Sequence, residues 1–155
     1  MSALPAVDTP TNLSPVRAIH RILLATDLSP TSAGATDQAL GLARTLGAEL
    51  LVVSVIDSAT PQSPGPVARM DQRRAAREFA AQAIVVQGRR IGVGVAFLVW
   101  EGEPGAAIVE AAQSEGADMV IVGTHGRNRV ERIVLGSVSD HVVRHAPCPV
   151  LIVRS

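Results

Sequence analysis

The sequence predicts a single-domain α/β protein built on a mainly parallel sheet, from three observations. Short apolar runs rich in β-branched residues alternate with segments of helical period, in the order βαβαβαβ-loop-αβ. The runs are near-continuously apolar, so both sheet faces are expected to lie under helices. The length of 155 residues suits one core, with roughly 68–70% of the unfolded surface buried.

Residues 1–18 hold three prolines and no periodicity, and read as a mobile tail ahead of a domain over 19–155. "IHRILLAT" (19–26) is the first buried strand. A helix follows, with Ser29 as N-cap, Pro30 at the first position, Ala39, Leu40, Ala43 and Leu46 on one face, and Gly47 as its stop. "AELLVVSVID" (48–57) is the second strand, and 58–68 is a long Pro-rich loop. The second helix, about 69–90, is expected to face the core with Met70, Ala75, Phe79, Ala83 and Val86, leaving the charges of "DQRRAAREF" in solvent. "VGVAFLVWEG", a short helix ending at Gly116, and "ADMVIVG" come next. A glycine loop, a helix over 137–145 and the strand "PVLIVRS" complete the chain.

Composition narrows the function classes. One Trp, two Phe and no Tyr leave an aliphatic core and argue against base-stacking platforms. The 14 basic and 14 acidic side chains cancel, so nothing pulls the whole chain toward nucleic acid or membrane. Cys148 stands alone and forms no internal disulfide. No apolar run is long enough to span a bilayer, and the first residues do not read as a secretory signal. The expectation is a soluble, cytoplasmic protein.

Two strand ends carry polar groups suited to a ligand: Asp27 after the first, and "GTHG" after the fourth. Ligands of open parallel sheets bind beyond the carboxyl ends of the strands, where the strand order reverses. Gly123 and Gly126 are expected to turn sharply with positive φ and admit a ligand close to the backbone. Gly136 precedes the last helix, where Ser137 offers a hydroxyl and an unpaired N–H to an anion, and Ser139 a second hydroxyl. Asp27 suits a ribose hydroxyl or a metal ion better than a phosphate. The phosphate loop GxxxxGK[ST] and a GxGxxG leading into a helix are both absent. His141 and His145 have metal-ligand spacing without further ligands, and His145 complements the helix dipole. Cys148 and Trp100 read as packing residues, and His125 as a loop-shaping or ribose-adjacent group rather than a general base.

The pattern Gly123, Gly126, Gly136, Ser137, with "RILLATDLS", "SVID", "ADMVIVGTHGR" and "CPVLIV" around it, resembles the universal stress protein family from Ile19 to Arg154. The resemblance implies a doubly wound, Rossmann-like five-stranded sheet in the order 3-2-1-4-5, helices on both faces, and membership of the ATP-binding-motif subgroup. It places Ala25, Thr26 and Asp27 near the adenosine and the Val55 backbone against adenine. Gly123, Thr124, His125, Gly126 and Arg127 would wrap the ribose and phosphates, and Gly136, Ser137, Val138 and Ser139 would hold the phosphates. The implied partners are ATP, with Mg2+ or Mn2+ bridging its phosphates, and a second copy joined through the last strand. The function read from this is ATP-dependent regulation in stress physiology. Efficient catalysis is not expected, because the loop lacks a lysine and an obvious base; slow hydrolysis or autophosphorylation at Ser137 or Ser139 stays open. The alternatives are a slow nucleotide hydrolase or transferase using Asp27 and His125, a module preferring AMP or cyclic AMP, and a ligand-free interaction module.

Overall fold

The computed structural model describes residues 16–58, 66–124 and 135–154, with 66–69 as backbone only. Most of the expected tail and Pro-rich loop, and His125, Gly126 and Arg127, lie outside the described residues. The elements are β1 (Arg21–Ala25), α1 (Ala33–Leu46), β2 (Glu49–Asp57), α2 (Pro66–Arg90), β3 (Val95–Gly102), α3 (Pro104–Ser114), β4 (Met119–Gly123), α4 (Ser137–His145) and β5 (Val150–Val153). The strands form one parallel sheet in the order β3-β2-β1-β4-β5. This is the doubly wound order that the family resemblance implied.

Given this order, handedness places the helices. Parallel crossovers are right-handed, so strands laid one way from β1 put their helices on one face, and strands laid the other way use the opposite face. Strand residues alternate between two aliphatic clusters accordingly. Ile22, Leu24, Leu50, Val52 and Ile121 pack with Ala35, Ala39, Leu40 and Ala43 of α1 and Ile84 of α2. Leu23, Leu51, Val53, Val120 and Val122 pack with Ile108, Ala111 and Ala112 of α3 and Val142 of α4. β1 is central, and its Ile22, Leu23 and Leu24 are sealed from solvent.

Two expected helix faces are corrected. Leu46, in the last turn of α1, is 45% exposed. In α2 the predicted face is rotated: Phe79 is 83% and Val86 44% exposed, Ala75 and Ala83 are also exposed, and Met70 is only partly covered. Among the described side chains of α2, Ala81, Ile84 and Gly88 are the buried positions. Among the described side chains of the N-terminal half of α2, Arg74 and Arg77 make hydrogen bonds to the sheet. Arg74 donates to the Val99 carbonyl at 3.2 Å and pairs with Glu101 at 2.8 Å, and Arg77 donates to Ser54. The "DQRRAAREF" segment is thus only in part a solvated face.

The edge opposite the strand mouths is fixed by Asp118. Its Oδ2 accepts from the amides of His20 (2.9 Å) and Arg21 (3.0 Å), and its own amide donates to the Arg21 carbonyl (2.8 Å), tying β1 to β4. Those two amides hold the carboxyl below its ordinary value; burial opposes them, and Arg17 reinforces them.

Asp118→Ala is expected to cost about 1.5–3 kcal/mol near neutral pH. A depressed folded pKa contributes stability that is complete above the unfolded value, about 3.9, and vanishes as pH falls through the lowered folded value. Denaturant titrations from neutral pH into strong acid should therefore show wild type and variant converging. Gly88 offers a second check. A Cβ there would collide with Val95 Cγ2 and lie 3.1 Å from the Val93 carbonyl oxygen. Gly88→Ala should lose about 1–3 kcal/mol in urea unfolding through overpacking.

Candidate functional site

Beyond the carboxyl ends of β1 and β4, which pair directly with Ala25 opposite Val122, the chain leaves a cavity of about 430 Å³. Of the residues singled out from sequence, Ala25, Thr26, Asp27, Val55, Gly123, Thr124, Gly136, Ser137, Val138 and Ser139 all line it. His125, Gly126 and Arg127 lie outside the described residues. Thr31, Ser32, Val53, Pro104, Ile108 and Val122 line it too, and sequence reasoning missed them. Val53 was within reach, since it shares a strand face with Val55 at period two. Pro104 and Ile108 enter only because α3 packs over β2, which no local pattern announces.

The cavity has two characters. Val53, Val55, Pro104, Ile108 and Val122 make one wall aliphatic, while Asp27, Thr31, Ser32, Thr124 and Ser137 supply carboxylate and hydroxyls. Such a lining suits a ligand with a flat, weakly polar part and a strongly polar part.

The β1–α1 connection is built as a lattice of short polar contacts. Leu28 N–H donates to Thr26 Oγ1 (3.0 Å), Thr26 donates to Ser32 Oγ (2.9 Å), and Ser32 donates to the Ser29 carbonyl (2.6 Å). Asp27 Oδ1 accepts from the Ser29 amide (2.9 Å) and hydroxyl (2.6 Å). Here the expected role of Ser29 is met in part: it is the extended residue that caps the turn opened by Pro30, but not the cap of α1. Its side chain makes no cap bond, residues 30–32 form a single 3-10 turn, and α1 starts at Ala33. The Ser29 hydroxyl instead donates to the Asp27 carboxylate, a charge-assisted bond, and no amide of the turn donates to its oxygen. Leu28 adopts φ 61°, the one positive φ among described non-glycine residues. That conformation costs a Leu roughly 1–2 kcal/mol, and the surrounding bonds hold it.

On the other side, α4 begins at Gly136, whose φ of −60° is extended and which offers no side-chain cap. The first amides of α4 therefore point outward beside Ser137, which is exposed. Ser139 is 3% exposed and donates to the Gly136 carbonyl at 3.0 Å, so its proton is already engaged. The positive φ expected of Gly123 is not found. Gly123 ends β4, and a Cβ there would meet only Ala35 Cβ, at 3.9 Å. Neither backbone conformation nor protein packing demands its glycine.

Other candidates resolve as packing. The rings of His141 and His145 stack at 4.2 Å, and His145 Nδ1 lies 2.8 Å from the His141 carbonyl oxygen. Among the described residues no group of three or more His, Cys, Asp or Glu could hold a metal. Cys148 and Trp100 pack against the second aliphatic cluster. Burial first, then the charge of Asp118, raises the Cys148 thiol above its ordinary value and keeps it protonated.

A parallel sheet wound in two directions, with a polar crevice at its switch point, defines a doubly wound α/β ligand-binding fold. The universal stress protein family model matches residues 18–154, and the chain belongs to that family. A Staphylococcus haemolyticus protein bearing the same family name is 37% identical over 138 residues, covering 86% of this chain and 84% of its own. A family structure from Burkholderia pseudomallei superposes with TM-score 0.75 at 29% identity, covering 91% of this chain and all of that one (100%). A universal stress protein crystallised in complex with cAMP superposes with TM-score 0.68 at 25% identity, covering 88% of this chain and 98% of that one. Among the described residues no helix is long and apolar enough to cross a membrane.

The lattice can be tested at one atom. Thr26→Val removes the hydroxyl that joins Leu28 N–H to Ser32 while keeping the shape. Thermal unfolding should show a loss of about 0.5–1.5 kcal/mol, the usual net worth of one hydrogen bond, at this partly buried donor.

Proposed function

We propose that this chain is an ATP-binding regulatory protein of stress physiology, of the ATP-binding-motif subgroup, with the nucleotide seated in the domain over 19–155. One observation carries the reading. Gly123, Gly136 and Ser137, far from Asp27 in sequence, line the same cavity as Asp27, with the uncapped start of α4 on one side and an aliphatic wall on another. Adenine would lie against the aliphatic wall, by Val55. The ribose would meet Asp27, whose Oδ1 is engaged by Ser29 and whose Oδ2 makes no hydrogen bond among the described residues. The phosphates would lie at the α4 N-terminus, where amides and helix dipole favour an anion. The cAMP-bound relative supports an adenine nucleotide in a fold of this kind.

A Mg2+ or Mn2+ ion would ride on the phosphate oxygens, with water in its remaining positions, since the described residues offer no metal cage. The reading includes pairing of two copies through β5, an edge strand whose residues are only partly covered.

Calorimetric titration with ATP, AMP and cAMP tests it. ATP should bind tightest, and Asp27→Ala and Ser137→Ala should each weaken it by about tenfold, the worth of one charge-assisted hydrogen bond. Unchanged affinity in both variants would refute the site. Preference for cAMP would keep the cavity and replace the nucleotide, and rapid release of ADP or AMP would make the protein an enzyme.

A further inference from the structure

Arg77 reaches the pocket loop from the far side of the sheet. It sits on α2 and is not among the cavity-lining residues. One guanidinium nitrogen, Nη1, donates to Ser54 Oγ and, at 3.4 Å, to the backbone carbonyl of Asp27. Ser54 is 2% exposed and alternates along β2 with Val53 and Val55, which line the cavity. Its hydroxyl therefore points to the α1–α2 face and is met there by Arg77.

The Asp27 carbonyl is a consequential place to pull. It belongs to the peptide unit joining Asp27 to Leu28, whose orientation sets ψ of Asp27 and φ of Leu28. Leu28 is the residue at φ 61°. A cationic donor fixed on a buried Ser54 holds that plane against relaxation of the strained turn. The Asp27 carboxylate, bonded to Ser29 two residues on, is held in turn. We propose that Arg77 is a positioning residue: it fixes the Asp27 turn through the sheet and so makes α2 a determinant of ligand affinity at a cavity it does not touch. This rests on the nucleotide-binding reading for its effect on affinity.

Arg74 is the internal control. It lies on the same helix and bonds the Val99 carbonyl and Glu101, with no bond to the pocket loop among the described contacts. Four variants, each checked for folding by circular dichroism, are titrated with ATP: Arg77→Met, Arg77→Lys, Arg74→Met and Arg77→Met combined with Asp27→Ala. Arg77→Met should weaken ATP about tenfold, with Arg77→Lys recovering most of the loss because it keeps a donor. Arg74→Met should bind like wild type. The combined variant should bind no worse than Asp27→Ala alone, because residues acting through one another are not additive. The amide resonance of Leu28, in the peptide unit that Arg77 bonds, should move in Arg77→Met and stay in Arg74→Met.

Wild-type affinity in Arg77→Met, or a full further loss in the combined variant, would overturn the proposal. The resonance needs no ligand. If the wild type bound no nucleotide, the binding reading would fall alone, and a moved or unmoved Leu28 amide would still decide whether Arg77 sets the turn. Should Arg77→Met fail to fold, Ser54→Ala removes the anchor of Arg77 instead: the Leu28 amide should move, and an unmoved amide would overturn the proposal.

Discussion

The handedness of the crossovers is the constraint on which the rest of the molecule depends. β1 must accept a neighbour on each side, and right-handed connections send α1 and α2 to one face and α3 and α4 to the other. Where the winding reverses, no helix covers the carboxyl ends of β1 and β4, and a crevice opens there. The aliphatic strands make this arrangement affordable: Ile22, Leu23 and Leu24 are buried on both faces, which only a doubly covered sheet permits.

The crevice is shaped by backbone geometry as much as by side chains. Around Asp27 a run of hydroxyls and amides fixes a turn that Leu28 enters at a conformation its side chain disfavours. Across the gap, α4 starts without a side-chain cap, so its amides are left for whatever occupies the cavity. In the proposed reading, the described donors of such a site would be in place before a ligand arrives, which lowers the ordering cost of binding. In that reading the uncapped amides of α4 would take the part that a lysine plays in other phosphate sites.

Much of this was legible in the sequence because it is written in local rules. The α4 boundaries follow from Gly136 and Ser137 at its start and the basic residues at its end, and Gly47 closes α1 in the left-handed conformation expected of it. The strands were readable as unbroken aliphatic runs. What failed depended on partners that are remote in sequence. The α2 face was misassigned because a hydrophobic count favours Phe79, whereas the sheet beneath offered Ser54, the Val99 carbonyl and Glu101 to arginines. Ser29 took its place ahead of Pro30, but its side-chain bond was not foreseen, because a cap rule does not look for a carboxylate two residues back. Pro104 and Ile108 joined the site through α3 packing, beyond the reach of any motif.

The central claim, that one cleft between Asp27 and the head of α4 is the binding site, is tested most directly by following backbone amides during an ATP titration. The account predicts saturable shifts at Asp27, Gly123, Ser137 and Val138, from both sides of the cleft together, with Arg89 and Arg90 at the far end of α2 unmoved. Shifts confined to another surface, or an unchanged spectrum at saturating nucleotide, would contradict it.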